Sequence, residues 1–161
     1  MASIAVERPD QPEALALIDE LDAYQKPLYP AESHHGIDVD ALRQPNVLFV
    51  IAREGGEAVG CGAVVFEQGW AELKRMYVRP GLRGRGIAQA ILAFLEARAV
   101  ERGTVTLRLE TGCRQPEALR LYERAGYARR GPFGGYGPDP NSVFMEKPLV
   151  LKMGAKEARG T

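Results

Sequence analysis

The sequence predicts a single mixed α/β domain, in which an antiparallel meander is followed by a β-α-β-α-β arrangement. Three observations support this fold class. Between residues 47 and 78, runs rich in β-branched residues are separated by short glycine-bearing turns, as in antiparallel hairpins. Beyond residue 86, apolar residues recur at helical spacing in two segments that each end at a glycine. The 161 residues fit one domain, and the sequence contains no internal repeat.

The elements before residue 79 each carry a local signal. The first helix begins at Pro12, a residue suited to the first helical turn, and its apolar residues Leu15, Ile18 and Leu21 recur at helical spacing. The predicted elements are a short strand at 2–8, this helix, a short helical piece near 38–43, and strands at 47–53, 58–66 and 70–78.

The second half of the chain alternates helices and strands. One helix starts its apolar face at Ile87 and ends at Gly103, and a second opens at Pro116 and ends at Gly126. The predicted strands are 104–109, 127–130 and 142–147, the last two separated by a Gly/Pro-rich loop. We expect residues 1–150 to form the domain and residues 151–161 to form a polar tail.

The composition excludes several classes of protein. Lys plus Arg number 21, as do Asp plus Glu, so the net charge is zero and bulk nucleic-acid binding is not expected. Cys61 and Cys113 lie far apart without metal-ligand spacing, so we expect neither a disulfide scaffold nor a metal site. There is no signal-peptide pattern, and no stretch reaches the roughly 18 apolar residues of a membrane span. These features favour a cytoplasmic protein without a membrane partner.

The charges are unevenly distributed along this neutral chain. No acidic residue occurs from Lys74 to Leu95. Within this stretch, Arg83-Gly84-Arg85-Gly86-Ile87-Ala88 opens a helix directly after a strand and a turn. Glycines let backbone N–H groups approach a ligand closely, and a helix N-terminus adds about half a positive charge. The pattern differs from a P-loop and from G-x-G-x-x-G, yet it predicts a diphosphate site.

The same six residues resemble the acetyl-CoA signature R/Q-x-x-G-x-G/A of the GCN5-related N-acetyltransferases, the GNAT superfamily. The resemblance continues forward to Ala118-x-x-Leu121-Tyr122-Glu123-x-x-Gly126-Tyr127 and covers about residues 47–147. Pro30-x-Glu32-Ser33-x-His35 and Asp139-Pro140-x-Ser142 resemble small bacterial members. The resemblance implies the GNAT fold, a mixed and mostly antiparallel sheet with splayed central strands flanked by helices. It also implies acetyl-CoA as co-substrate, without a metal.

The resemblance implies how the cofactor is held. The amides of residues 83–88 would hold the CoA diphosphate, and the backbone of Met76, Tyr77 and Val78 would pair with the pantetheine arm as an added strand. Gln115 stands where the superfamily often has Asn, which leaves its contact with the cofactor open.

Acetyl transfer from a thioester to an amine requires a base and an acid. An alkylamine with a pKa of about 10.4 is neutral in only about one part in a few thousand at pH 7, a handicap of roughly 4–5 kcal/mol. A carboxylate or His can remove its proton, and a donor near the sulfur assists the leaving thiolate. Tyr122 is the acid that the resemblance implies. Glu110, out of phase with Leu107 and Leu109 at the end of its strand, is the first candidate base.

Other candidates stay open at this stage. Glu72 is an alternative base, while Glu32, His35 and Tyr136 lie in loops that are candidates for acceptor binding, and His35 also for proton transfer. We expect direct N-acetylation of a primary amine on a small-molecule or amino-acid-like acceptor. The alternatives are a protein or peptide N-acetyltransferase and a catalytically silent CoA-binding sensor. The sequence also leaves the oligomeric state open, with a homodimer as one option.

Overall fold

The structure, a computed structural model, describes residues 2–149, so the predicted polar tail lies outside the described residues. The elements follow the predicted order closely. The strands are β1 Ser3–Val6, β2 Val47–Glu54, β3 Glu57–Phe66, β4 Trp70–Val78, β5 Thr106–Gly112, β6 Ala128–Arg130 and β7 Ser142–Pro148. The helices are α1 Pro12–Gln25, α2 Val39–Leu42, α3 Ile87–Glu101 and α4 Pro116–Arg124. Single 3-10 turns occupy Lys26–Leu28, Ala31–Ser33 and Pro80–Leu82.

The seven strands form one sheet in the order β1-β2-β3-β4-β5-β7-β6. Every neighbouring pair is antiparallel except β4 and β5, which are parallel. The predicted mixed and mostly antiparallel sheet is therefore confirmed. The parallel pair is joined by helix α3, which crosses one face of the sheet, as a parallel connection requires.

The two parallel strands separate along their length. They pair only from Trp70 with Thr106 to Leu73 with Leu109, after which β4 continues to Val78 and β5 to Gly112 without each other. The β3–β4 register shifts between Cys61 and Ala63, and Arg75 at this bulge has a φ of 56°. A bulge bends its strand, and this one lies directly after the last residue of β4 that pairs with β5. The carboxyl ends of the two strands therefore frame an opening.

The apolar core lies on both faces of the sheet. On one face, Ile91 and Leu95 of α3 pack with Val64, Leu73 and Leu107. On the other, α1 packs Leu17 and Leu21 against Phe49 and Ile51 of β2. A Cβ added at Gly62 of β3 would lie 2.8 Å from Ile91 Cγ2, so glycine permits the close approach of α3 to the sheet. The helices thereby fix the two sides of the opening.

None of the helices in residues 2–149 has the length and apolar character that a membrane crossing requires.

Candidate active site

Two cavities adjoin where β4 and β5 diverge. The inner cavity, of about 320 Å³, is lined by parts of β4, β5, α1 and segment 33–38. The loop cleft, of about 750 Å³, is lined by the end of β4, residues 82–89 and helix α4. The residues that line both are Leu21, Met76, Gln115, Ala118 and Tyr122. Molecules held in the two cavities can therefore meet at this junction.

The start of α3 offers free backbone donors to the loop cleft. Within residues 2–149, the N–H groups of residues 84–89 donate to no protein acceptor, as expected for a loop and the first turn of a helix. Gly84 and Gly86 have φ values of 81° and 79°, a conformation that glycine adopts without strain. Helix α3 has no side-chain N-cap. The loop therefore fits the diphosphate that the sequence predicts.

The two arginines of this loop have different positions. Arg83 lines the cleft, its Nε donates to Val78 O at 3.1 Å, and its Nη1 lies 3.8 Å from Glu117 Oε2. Arg85 does not line the cleft, and its Nη2 lies 3.3 Å from Glu54 Oε2. Both ion pairs are solvent-accessible and therefore weak. An anion in the cleft can displace the Glu117 contact of Arg83 at little cost.

The remaining predicted cofactor contacts also lie along the cleft. Met76, Tyr77 and Val78 line it from the part of β4 that has no β5 partner. Ile87 and Ala88 line it from the first turn of α3. An unpaired strand edge beside a cavity is suited to an extended, amide-bearing ligand.

Gln115 lies at the junction, immediately before α4. Its side chain is buried, and its Oε1 accepts a hydrogen bond from Tyr29 Oη at 3.2 Å. Tyr29 Oη in turn accepts from the Arg114 N–H at 3.0 Å. Within the described residues, the amide Nε2 of Gln115 has no hydrogen-bond partner, so it is left to donate to a ligand.

Tyr122 lies on α4 and faces both cavities. Its side chain is buried, and its ring packs edge-on against Tyr127 at a centroid distance of 5.8 Å. Among residues 2–149 its hydroxyl has no hydrogen-bond partner. Burial raises the pKa of Tyr122, and the negative charge of Glu110 raises it further. The phenol therefore stays protonated at neutral pH and is available as a donor.

Glu110 projects from β5 into the inner cavity. Its Oε2 accepts a hydrogen bond from Ser142 Oγ at 2.7 Å. Burial raises the pKa of Glu110 above its ordinary value, while the hydrogen bond from Ser142 and the charges of Lys74 and of a protonated His35 act in the opposite direction. A raised pKa brings a carboxylate closer to the pH at which a general base works well.

Glu72 and Tyr136 contact each other instead of lining either cavity. The Tyr136 hydroxyl donates to Glu72 Oε2, and Lys74 Nζ lies 3.2 Å from the same carboxylate oxygen. Lys74 also donates to the Tyr136 hydroxyl and to His35 O. Because its carboxylate is engaged by Tyr136 and Lys74 and does not line the cavity, Glu72 is a poorer base than Glu110.

The two acceptor-loop candidates Glu32 and His35 differ in whether they line a cavity. Glu32 is exposed and lines neither cavity. His35 lines the inner cavity, and its Nε2 lies 3.0 Å from Asp139 Oδ2. No partner for His35 was predicted from the sequence, because Asp139 lies 104 positions further along the chain.

Comparison with known proteins connects this geometry to a family. Residues 14–127 match the Acetyltransferase (GNAT) family. The chain is 48% identical over 149 residues to the IAA acetyltransferase of Azospirillum brasilense, covering 91% of this chain and 97% of that protein. The chain belongs to the GNAT family. It is therefore an N-acetyltransferase of a family that uses acetyl-CoA, as the sequence predicted.

Solved structures share the GNAT fold described above. A Klebsiella pneumoniae protein described as a candidate acyl-CoA N-acyltransferase is 43% identical, with a TM-score of 0.80 over 93% of this chain and 99% of that one. An aminoglycoside 6'-N-acetyltransferase complexed with coenzyme A has a TM-score of 0.69 at 20% identity, covering 92% of this chain and 97% of that one. The second likeness concerns the fold alone.

The raised pKa of Glu110 in this GNAT protein predicts an effect on stability. A buried acid with a raised pKa binds its proton more tightly in the folded state, so stability falls as pH rises from the unfolded-state value through the raised one. Glu110→Gln keeps an acceptor for Ser142 and removes the titration. We expect the variant to gain stability relative to wild type between about pH 4 and about pH 7, as measured by urea unfolding. If the stability difference between Glu110→Gln and wild type is the same at both pH values, the raised pKa is contradicted.

Proposed function

We propose that this protein transfers the acetyl group of acetyl-CoA directly to a primary amine of a small, amino-acid-like acceptor. The observation that carries the proposal is the position of Tyr122, which lines both the loop cleft and the inner cavity. A proton donor at this junction can act where a thioester from one side meets an amine from the other.

The loop cleft supplies the groups that would hold the cofactor. The free N–H groups of residues 84–89 and the Arg83 side chain would bind its diphosphate. The unpaired edge of β4 at residues 76–78 would receive its pantetheine amides, with Gln115 Nε2 as a further donor. Acetyl-CoA supplies an acetyl group already activated as a thioester.

Glu110 and Tyr122 divide the proton transfers between them. The Glu110 carboxylate removes a proton from the acceptor ammonium, which must be neutral before its nitrogen can attack. The Tyr122 hydroxyl donates to the sulfur as it leaves, so that a free thiolate is not formed. Both side chains are partly or fully buried, which strengthens these interactions relative to water.

The inner cavity favours a small acceptor. Its volume of about 320 Å³ is at the lower end of the range for small-molecule sites, roughly 300–1,000 Å³. Its lining contains carboxylates and cations together: Asp22, Asp38 and Glu110 with Lys26, Lys74 and Arg75. Mixed charge suits a molecule that has both an ammonium and a carboxylate. The relative named IAA acetyltransferase also supports a small-molecule acceptor.

The proposal is tested by measuring CoA thiol release from acetyl-CoA with a panel of amino acids, alkylamines, arylalkylamines, IAA and short peptides. We expect turnover with at least one small amine. Tyr122→Phe should lower kcat by about 10²-fold, the typical cost of losing a single catalytic proton donor, without changing the Kd for CoA. Tyr127→Phe is the matched control, because Tyr127 is also buried but donates to Glu96 at 2.7 Å and lines neither cavity.

The other outcomes separate the alternatives. Tight CoA binding without turnover on any acceptor would favour the silent sensor. Turnover restricted to peptides would favour a protein N-acetyltransferase. Equal turnover by wild type and Tyr122→Phe would overturn the assignment of the acid.

A further inference from the structure

The proposed reaction leaves one proton that must reach solvent, and this inference rests on that proposed function. As an N–C bond forms and a C–S bond breaks, the ammonium nitrogen loses two protons. One of these protons replaces the proton that Tyr122 gives to the thiol of CoA. The other is taken up by Glu110, which lies within β5 and is only partly accessible. Glu110 must lose this proton before the next turnover.

His35 shares a cavity with this carboxylate and is also partly exposed to solvent. Both residues line the inner cavity, and the charge of a protonated His35 lowers the pKa of Glu110. The His35 side chain is 24% exposed, so the ring also reaches water. Lys74, the other cation whose charge lowers the pKa of Glu110, is committed to Glu72, Tyr136 and the His35 carbonyl.

The His35 ring is held by a carboxylate. Nε2 lies 3.0 Å from Asp139 Oδ2, and because an ionised carboxylate only accepts, Nε2 bears the hydrogen. Nδ1 then has the free lone pair of the neutral ring, with no protein partner within residues 2–149. An imidazole whose second nitrogen is held by a carboxylate is the arrangement of a proton acceptor in many enzymes.

Asp139 is fixed in turn by groups that favour its ionised form. Its Oδ1 accepts from the Asn141 N–H at 2.8 Å and from Ser33 Oγ at 3.1 Å. The Asn141 N–H, followed by the hydrogen bond to His35, holds the pKa of Asp139 below its usual range. The network joins segment 33–35 to the loop before β7.

We propose that His35, oriented by Asp139, is a proton relay that takes the proton from Glu110, directly or through water, and passes it to solvent. Glu110 loses the proton and regains its charge, while the neutral His35 ring gains it at Nδ1. Solvent or buffer then removes it, so the relay returns to its starting state with no net change.

The test uses the small amine that the panel identifies as the fastest acceptor. His35→Ala should lower kcat by about tenfold or more in dilute buffer, because proton release becomes slow. Added imidazole should restore kcat with a saturable dependence on its concentration, and more weakly basic buffers should restore less. Asp139→Asn, which keeps a hydrogen-bond acceptor but loses the charge, should lower kcat more than it raises KM.

Two control variants distinguish a relay from a structural contact. His34→Ala removes the adjacent imidazole, whose Nε2 contacts Tyr29 O at 2.9 Å, and any loss of kcat that it causes should not be restored by added imidazole. Ser33→Ala loosens the same pair of loops without removing the relay, and should show no imidazole rescue. An active His35→Ala variant that imidazole does not stimulate would overturn the relay alone. A wild type without turnover on any amine would overturn the proposed function and the relay with it.

Discussion

Replacement of Glu110 by glutamine is expected to lower kcat by about 10²–10⁴-fold, the usual contribution of a general base. The reason is that the glutamine amide would keep the hydrogen bond from Ser142 but would accept no proton from the ammonium. Because burial raises the pKa of Glu110, wild-type kcat should fall as pH decreases through a value above the ordinary glutamate range. The measurement is kcat against pH at saturating acetyl-CoA and amine, and the variant should lack this acid limb.

Glu72→Gln is the matched control for Glu110→Gln. Glu72 lies on the neighbouring strand, but its carboxylate is engaged by Tyr136 and Lys74 and does not line the inner cavity. We expect its replacement to preserve the acid limb. If Glu72→Gln abolishes the limb while Glu110→Gln retains it, the two carboxylates have been assigned in the wrong order.

Gly86→Val is expected to weaken CoA binding by about 100-fold or more. The φ of 79° at Gly86 is strained for a β-branched residue, at a cost on the order of 1–3 kcal/mol, and relief of that strain moves the N–H groups at the start of α3. The added side chain would also stand where, in the proposed binding mode, the backbone approaches the cofactor. Isothermal titration with CoA measures the loss, and thermal unfolding shows that the variant still folds.

Gly81→Val is the control from the same loop. Gly81 has no positive φ, and a Cβ there meets nothing within 4 Å. Its replacement should leave CoA affinity nearly unchanged. Unaltered affinity in Gly86→Val would show that the start of α3 does not hold the diphosphate.

Much of the fold follows from local signals. Helix α1 begins at Pro12 and β4 spans Trp70–Val78, as predicted, because proline placement and glycine turns act within a few residues. The predicted strand at 104–109 instead runs over Thr106–Gly112. Its end is set by its partner, since Gly112 pairs with Ser142 of β7. Glu110 therefore lies within the strand, beside Ser142, and not at its end.

In the candidate site too, some residues could be predicted from local motifs and others depend on distant contacts. Tyr122 and the glycine loop belong to contiguous motifs, and the structure places both along the loop cleft. Glu32 and Tyr136 also belong to recognisable segments, yet neither lines a cavity. Their side-chain positions depend on contacts with distant strands, as the Tyr136–Glu72 hydrogen bond shows across 64 positions.

The sequence by itself determined the order of elements, the family resemblance and the glycine-rich loop proposed for the diphosphate, because turn chemistry, helix capping and backbone N–H exposure are properties of neighbouring residues. Only the tertiary structure decided that Glu110 lines the inner cavity and Glu72 does not, and which partner orients His35. Those choices depend on strand register and on loops that meet across 104 positions, and no local pattern encodes them. The acid-free stretch from Lys74 to Leu95 thus pointed to the loop cleft proposed for the cofactor, while folding selected the groups that line the inner cavity proposed for the acceptor.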